Sequence, residues 1–284
     1  MIDLSIGTAQ FGLNYGLTNI RGKIPFEESH QILDTLLDRK ITRIDTAAGY
    51  GDAQNVLGKY KNISSFIITT KVSALSKDIC ITDQVEEALH NLNTESIETV
   101  VLHDYMSIES EADKNNALSE LRLLKSKGIC KKIGVSVYEP EDTLSIIEDK
   151  YIDVIQIPLN IFNQSFISSG ELDRLKSLGI KIQVRSIFMQ GVALMNSFPK
   201  KFDFTSFEFD RFLSFRIKSG LSALDLCIDF IKTNCSDCEV VFAVDCIEQL
   251  KDILDSFNND RFNMTNYKEF ESLDKRFINP ANWN

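Results

Sequence analysis

The sequence has few cysteines and no long apolar run. Six cysteines in 284 residues are too few for a disulfide-stabilised scaffold, and Cys80, Cys227 and Cys246 lie in apolar stretches, as in proteins of a reducing compartment. No apolar run reaches the roughly 18 to 20 residues of a membrane helix, and the first residues show no signal-peptide pattern. We therefore expect a cytoplasmic protein that has no membrane partner.

Basic residues are outnumbered as well. The chain has 31 lysines and arginines against 41 acidic residues, a net charge of -10 and a pI near 4.9. Such a surface disfavours nucleic acids and anionic membranes. The C-x-x-C of Cys235 and Cys238 has no second ligand pair, so no metal site is predicted. We expect a small-molecule partner, and no oligomeric state is predicted because helix exteriors resemble interfaces.

Eight short β-branched runs recur along the chain, and amphipathic segments such as that of Ile32, Leu33 and Leu36 separate them. Alternation of strand and helix predicts a parallel sheet with helical crossovers, and eight units in this length favour a (β/α)8 TIM barrel. A doubly wound sheet is the competitor, but no G-x-G-x-x-G follows the first run. The predicted strands span residues 4–6, 42–44, 66–70, 98–102, 132–137, 154–157, 180–184 and 240–242.

No linker interrupts the chain, so we predict one barrel domain over residues 1–284. Its least regular part is a loop and helix insertion around 198–219, where seven phenylalanines lie between positions 198 and 215. These rings are expected to pack on the barrel exterior, with an apolar wall over the active site as the alternative. Residues from about 258 to 284 form a carboxyl-terminal tail.

Polar residues end three consecutive predicted strands. Asp45, Lys71 and His103 follow strands two, three and four, and in a barrel the carboxyl ends of neighbouring strands share one rim. A buried lysine requires a partner, and Asp45 is the natural one. Tyr50 lies in the loop after Asp45, so the sequence predicts a charged group around a tyrosine.

These segments resemble the signature segments of the aldo-keto reductase superfamily. The similar residues are the Asp-Thr-Ala-Ala-Gly-Tyr-Gly of 45–51, the Thr-Lys of 70–71, the Leu-His of 102–103 and the Ile-Gly-Val-Ser of 133–136. The resemblance runs over nearly the whole chain. It implies a (β/α)8 barrel with a catalytic tetrad of Asp45, Tyr50, Lys71 and His103, and we expect the amino-terminal hairpin usual in the family to be absent.

The chemistry of carbonyl reduction agrees with this tetrad. Reduction places negative charge on the carbonyl oxygen, and the Tyr50 phenol can supply a proton to it. A cationic Lys71 near the phenol favours the phenolate, and Asp45 keeps the ammonium charged. His103 can donate a hydrogen bond to the substrate oxygen, while a nicotinamide provides the hydride.

The resemblance also implies a set of cofactor contacts. Ser136 and Gln156 would hold the nicotinamide carboxamide, and Gly7 and Thr8 would line the approach to its ring. Ser186 would touch the pyrophosphate. Arg185 replaces a residue that is commonly aromatic in the family, and its planar guanidinium can also stack on the nicotinamide.

The turn after strand eight departs from the family pattern. Family members often carry basic residues there that read the 2′-phosphate of NADPH. This chain has no Lys or Arg in the turn, although Gln249 belongs to a matching Glu-Gln-Leu. Asp245 would repel a 2′-phosphate and could accept a hydrogen bond from a free ribose hydroxyl. NADPH is the expectation from the family, and the local residues favour NADH or dual use.

Three functions fit the sequence. The leading one is an NAD(P)H-dependent oxidoreductase of an aldehyde, ketone or sugar carbonyl, with Tyr50 as general acid or base. The second is a cofactor-binding regulatory or redox-sensing barrel with slow turnover. The third is a barrel lyase or isomerase that forms a Schiff base on Lys71.

Overall fold

A computed structural model describes residues 2–74, 80–103, 105–147, 151–259 and 266–283. Eight strands form its centre, and each overlaps one of the eight predicted runs, with ends displaced by at most two residues. They are β1 (Asp3–Gly7), β2 (Arg43–Asp45), β3 (Ile67–Val72), β4 (Ile97–Leu102), β5 (Cys130–Ser136), β6 (Val154–Pro158), β7 (Lys181–Arg185) and β8 (Glu239–Phe242).

Helices connect the strands, and all the described amphipathic segments are helical. Apolar residues on one face are buried, as with Ile32, Leu33 and Leu36, which lets each helix pack on the sheet. The helices are α1 (Ala9–Gly12), α2 (Phe26–Asp38), α3 (Ala53–Gly58), α4 (Ile81–Asn91), α5 (Glu111–Ser126), α6 (Leu144–Ile147), α7 (Ser165–Ser168), α8 (Glu171–Ser177), α9 (Phe207–Ser219), α10 (Ala223–Asn234), α11 (Ile247–Asn258) and α12 (Lys275–Ile278).

The strands close into a barrel. All pairs are parallel and follow chain order, and β8 pairs with β1 to complete the ring. The predicted (β/α)8 barrel is therefore confirmed. Register places Gly7 beside Asp45 and Ser136 beside Gln156, so the carboxyl ends of the strands form one rim. Within the described ranges, no helix is long and apolar enough to cross a membrane.

The barrel interior contains a chain of polar side chains below that rim. Gln183 Nε2 donates to Thr69 Oγ1 and to Glu239 Oε1, both at 3.1 Å. Gln156 Nε2 donates to Gln183 Oε1 at 3.3 Å. All four side chains are buried. Buried polar groups of this kind need partners, and here they satisfy one another across strands β3, β6, β7 and β8.

The phenylalanine-rich segment packs against the carboxyl-terminal part of the chain. Phe198 contacts the ring of Phe277 at 5.5 Å between centroids, and Phe202 contacts Trp283 at 5.3 Å. Phe209 and Phe212 of α9 contact Phe162, which follows β6. None of the seven phenylalanines is among the described residues that line the cavity at the barrel rim. These contacts favour packing over an active-site wall.

Candidate active site

A cavity of about 330 Å³ opens at the carboxyl ends of the strands. All but two of the predicted site residues line it. The exceptions, Lys71 and Ser136, are hydrogen-bonded to residues that do. The lining residues from the predicted set are Gly7, Thr8, Asp45, Tyr50, His103, Gln156, Arg185, Ser186, Asp245 and Gln249.

Asp45, Lys71 and Tyr50 form a connected polar group. Asp45 ends β2, Lys71 lies near the end of β3, and their side chains form a buried ion pair. The Lys71 ammonium also lies 3.4 Å from the Tyr50 hydroxyl and 3.3 Å from the carbonyl oxygen of Thr46. A cation is thus held next to the phenol at the cavity wall.

The ammonium of Lys71 keeps its proton in this environment. Burial by itself lowers the pKa of a lysine, because it penalises the charged form. The charge of Asp45 and the neighbouring Tyr50 outweigh burial, and the pKa of Lys71 is raised. Lys71 is therefore a permanent positive charge near neutral pH.

His103 faces the other side of the phenol. Its ring lies edge-on to that of Tyr50, with centroids 5.8 Å apart and an angle of 83°. Burial, together with the charges of Lys71 and Arg185, lowers the pKa of His103 to about 3. The imidazole is therefore neutral at physiological pH and has one N–H to donate.

Close backbone packing holds the tyrosine loop in place. A Cβ on Gly12, the last residue of α1, would lie 1.8 Å from the Tyr50 carbonyl oxygen and 2.5 Å from the Ala53 amide. Gly51 has a left-handed φ of +58°, which glycine adopts without strain. Glycine at these two positions lets α1 and the loop of Tyr50 approach so closely. Sequence reasoning missed this role of Gly12.

Gln156 bonds to the carboxylate of Asp45 as well as lining the cavity. Its Nε2 donates to Asp45 Oδ2 at 2.9 Å, while Lys71 holds Oδ1. Each oxygen of Asp45 therefore has its own donor. The Gln156 Oε1 atom is buried and accepts no hydrogen bond among the described residues. Sequence reasoning found Gln156 but not its bond to Asp45.

Arg185 organises the end of β7. Its side chain donates to Ser136 Oγ at 3.3 Å, to the Val137 carbonyl oxygen at 3.0 Å and to Ser186 Oγ at 3.3 Å. The guanidinium also stacks over the ring of Tyr138, 4.5 Å from its centroid. Within the protein the aromatic partner of Arg185 is thus Tyr138, another lining residue that sequence reasoning missed.

The segment after β7 has a strained backbone. Ser186, Met189 and Gln190 have positive φ angles of 62°, 49° and 52°, a region that costs energy for residues other than glycine and is enriched at functional sites. Thr18, from the loop after β1, donates its hydroxyl to the Gln190 carbonyl at 3.3 Å. These two loops meet beside the cavity.

The turn after β8 and the helix α11 that follows it give part of the cavity lining an acidic character. Asp245 and Asp252 both line it. The Asp245 amide donates to Gln249 Oε1 at 2.8 Å, and its carboxylate accepts from Gln10 Nε2 at 3.3 Å. Gln10 is a further lining residue that sequence reasoning did not select.

A cation does reach this turn, from a distant part of the chain. Arg21 donates to the Asp245 carbonyl oxygen at 3.0 Å and binds both oxygens of Glu28 at 3.0 and 2.9 Å. Glu28 also accepts from the amide of Ile247, the first residue of α11, at 3.1 Å. Inspection of the turn sequence alone missed Arg21, whose charge is already paired with Glu28.

The closed barrel with a polar group at the carboxyl ends of its strands places the protein among the (β/α)8 barrels. A model of the aldo/keto reductase family matches residues 3–275, and the chain belongs to that family. D-arabinose 1-dehydrogenase of Saccharomyces cerevisiae is 30% identical over 140 residues. That alignment covers 44% of this chain and 40% of the yeast protein, so less than half of either chain is compared.

Solved structures share the fold. The holo form of aldo-keto reductase AKR11C1 from Bacillus halodurans superimposes with a TM-score of 0.75 at 17% identity, over 94% of this chain and 90% of that one. An aldo-keto reductase structure from Pseudomonas aeruginosa gives a TM-score of 0.65 at 19% identity, over 90% and 89% of the two chains. At these identities the likeness concerns the fold alone.

Proposed function

We propose that the protein is a nicotinamide-dependent oxidoreductase that interconverts a carbonyl group and an alcohol, with Tyr50 as the general acid or base. The observation that carries this proposal is the 3.4 Å approach of the Lys71 ammonium to the Tyr50 hydroxyl, at the wall of the cavity. Family membership and the partial similarity to a sugar dehydrogenase support an aldehyde, ketone or sugar carbonyl as substrate.

Four residues have distinct roles in the proposed reaction. Tyr50 donates its proton to the substrate oxygen as negative charge develops there, and Lys71 stabilises the phenolate that remains. Asp45 keeps Lys71 protonated and in position. His103 is neutral and donates a hydrogen bond to the same oxygen, so it adds a dipole without a competing positive charge. In the oxidation direction, Tyr50 accepts the alcohol proton.

The ion pair disfavours the Schiff-base alternative. An amine must lose its proton before it attacks a carbonyl. The Lys71 ammonium is enclosed by Asp45, the Thr46 carbonyl and Tyr50, its pKa is raised, and its side chain is 1% exposed. The same contacts suit a lysine that stays charged and stabilises a neighbouring phenolate.

Replacement of Tyr50 by phenylalanine tests the proposal. Because the variant lacks only the hydroxyl, we expect kcat to fall by about 100- to 10,000-fold while the Kd of NADH, measured by fluorescence titration, stays within about threefold. Tyr151→Phe removes a hydroxyl from an exposed tyrosine outside the cavity and should keep full activity. A Tyr50→Phe enzyme that retains wild-type kcat on a good substrate would rule out this role.

The cavity suits a nicotinamide. Gln10 Oε1 and Gln156 Oε1 are buried acceptors without a partner among the described residues, and both side chains line the cavity. A carboxamide N–H₂ is a donor that could satisfy such an acceptor. Gly7, Thr8 and Ser186 also line this region and would complete the binding surface. A bound reduced nicotinamide supplies the hydride.

We infer a preference for NADH over NADPH. Asp245 and Asp252 make the end of the cavity beside α11 acidic, which opposes the extra charge of a 2′-phosphate. Anions bind favourably at a helix amino terminus, but Glu28 already occupies the Ile247 amide and both terminal nitrogens of Arg21. The protein's own carboxylate thus takes the donors that a phosphate would use.

Cofactor titration tests this preference. We expect the wild type to bind NADH at least about tenfold more tightly than NADPH, a difference of about 1.4 kcal/mol. The double variant Glu28→Gln/Asp245→Asn should lower the ratio of the NADPH Kd to the NADH Kd, because it removes two negative charges and frees Arg21 from Glu28. Glu27→Gln, at the exposed residue before Glu28 on α2, is the matched control and should leave this ratio of Kd values unchanged. A tenfold preference of the wild type for NADPH would contradict the inference.

A further inference from the structure

Arg185 places a positive charge in the wall of the cavity, although the chain as a whole is acidic. It ends β7 and lines the same cavity as Tyr50 and His103. The other charged lining residues among the described part of the chain are Asp45, Asp245 and Asp252. Asp45 is neutralised by Lys71, and the remaining two belong to the end of the cavity beside α11. The charge of Arg185 contributes to the lowered pKa of His103, whose ring lies edge-on to that of Tyr50, so Arg185 places a positive charge near the phenol.

The partners of Arg185 among the described residues are all uncharged. They are the hydroxyl groups of Ser136 and Ser186, the carbonyl oxygen of Val137 and the ring of Tyr138. Among the ion pairs of the described residues, Arg185 has none. By contrast, Lys71 is paired with Asp45, and the partly buried Arg43 is paired with Asp3 and Glu239.

These contacts orient the guanidinium without neutralising it. A guanidinium has five N–H donors and stays charged at all accessible pH values. Three hydrogen bonds and the Tyr138 ring fix its plane, which leaves donor capacity for a ligand. A half-buried charge without a counter-ion is costly, so an incoming anion would relieve that cost in a site that is already organised.

We propose that the substrate carries an acidic group, a carboxylate or a phosphate, and that Arg185 binds this group while the carbonyl faces Tyr50. This inference rests on the proposed function, which it deepens by naming a class of substrate. Oriented arginines bind carboxylate and phosphate with particular strength because their donors match the spacing of the oxygens. Neutral aldehydes or sugars would leave Arg185 without a counter-ion.

Matched substrate pairs test the proposal. Succinic semialdehyde and its methyl ester differ in one negative charge, and glyceraldehyde 3-phosphate and glyceraldehyde differ in a phosphate. We expect the wild type to favour at least one anionic member by about 10- to 100-fold in kcat/KM. The pair that shows the preference identifies the acidic group as a carboxylate or a phosphate. Equal values for the members of both pairs would refute the proposal.

Variants of Arg185 separate its charge from its shape. Arg185→Gln should lose the anionic preference, so the ratio of kcat/KM between the anionic and neutral members of a pair should fall toward one, chiefly through a higher KM for the anionic member. Arg185→Lys should restore part of the preference because it restores the charge. Arg39→Gln, which removes a charge outside the cavity, should behave as wild type. An equal loss on both members of a pair, or a weaker NADH Kd with the preference intact, would overturn the proposal.

A binding experiment on the wild type needs no turnover and no variant. In the presence of NADH, succinate or inorganic phosphate should raise the unfolding temperature, whereas neutral succinamide should not. An absence of turnover on every carbonyl together with this stabilisation would remove the proposed reaction and leave the anion site standing. An absence of stabilisation by both anions would refute the anion site even in an active enzyme.

Discussion

At the scale of single residues, the buried pair of Asp45 and Lys71 illustrates how a buried charge depends on its partner. Both side chains are nearly inaccessible to solvent, so either charge alone would be severely destabilising. Gln156 gives the carboxylate a second donor. The pair therefore holds Lys71 near Tyr50 only as long as both charges are present.

This dependence predicts a non-additive pair of substitutions. Lys71→Met leaves the Asp45 charge buried and unpaired, and should lower the free energy of unfolding by about 3–5 kcal/mol. The double variant Lys71→Met/Asp45→Asn removes both charges and should recover at least about 1 kcal/mol of that loss. Urea unfolding of the single and double variants measures both values. A double variant as unstable as the sum of its single changes would contradict the coupling.

The sequence predicted the individual site residues better than their partners. Asp45, Lys71 and His103 could be selected as candidates because each lies at the carboxyl end of a recognisable strand, and Tyr50 because it lies in the loop after Asp45. The bond from Gln156 to Asp45 joins residues 111 positions apart, and no local pattern encodes it. Arg185 was identified as a departure from the family, but its uncharged surroundings became visible only in three dimensions.

At the scale of elements, strands and helices were predictable because each carries its own periodicity. Loops have no such periodicity, so their contacts could not be predicted, as the loop after β1 illustrates. Its residues Arg21 and Thr18 contact the turn after β8 and the segment after β7, which are separated from it by more than half of the chain. Such contacts form only when the barrel closes. Local sequence patterns therefore could not predict this part of the site.

The contact of α1 with the tyrosine loop gives a prediction at this scale. Gly12→Ala would place a methyl group 1.8 Å from the Tyr50 carbonyl oxygen, so the two segments must separate. We expect a loss of stability of about 1–3 kcal/mol and a fall in kcat of at least about tenfold, since a misplaced catalytic group is costly.

Gly49→Ala is the matched control for this prediction. Gly49 lies in the same loop, but a Cβ there meets nothing within 4 Å, and its φ is not among the positive ones. Thermal unfolding and steady-state kinetics of both variants provide the comparison. If Gly12→Ala were as stable and active as Gly49→Ala, close packing of α1 could not be what positions Tyr50.

At the scale of the whole molecule, the neutral His103 links the site to the pH dependence of folding. Burial and two nearby cations lower its pKa to about 3, whereas in an unfolded chain a histidine titrates near 6.5. Between these values the unfolded state binds a proton that the folded state does not. The contribution of His103 to stability is therefore complete above pH 6.5 and is lost as the pH falls toward 3.

The resulting prediction compares wild type with His103→Asn. When the pH falls from 8 to 5, the titration of His103 should lower the free energy of unfolding of the wild type by about 2 kcal/mol. The asparagine variant should not show this part of the decrease. His90→Asn, at an exposed position, should retain the wild-type dependence. Urea unfolding at several pH values measures the difference. Equal slopes for wild type and His103→Asn would mean that His103 has the same pKa in the folded and unfolded states, and the inference that burial and nearby cations keep it neutral below pH 6.5 would have to be abandoned.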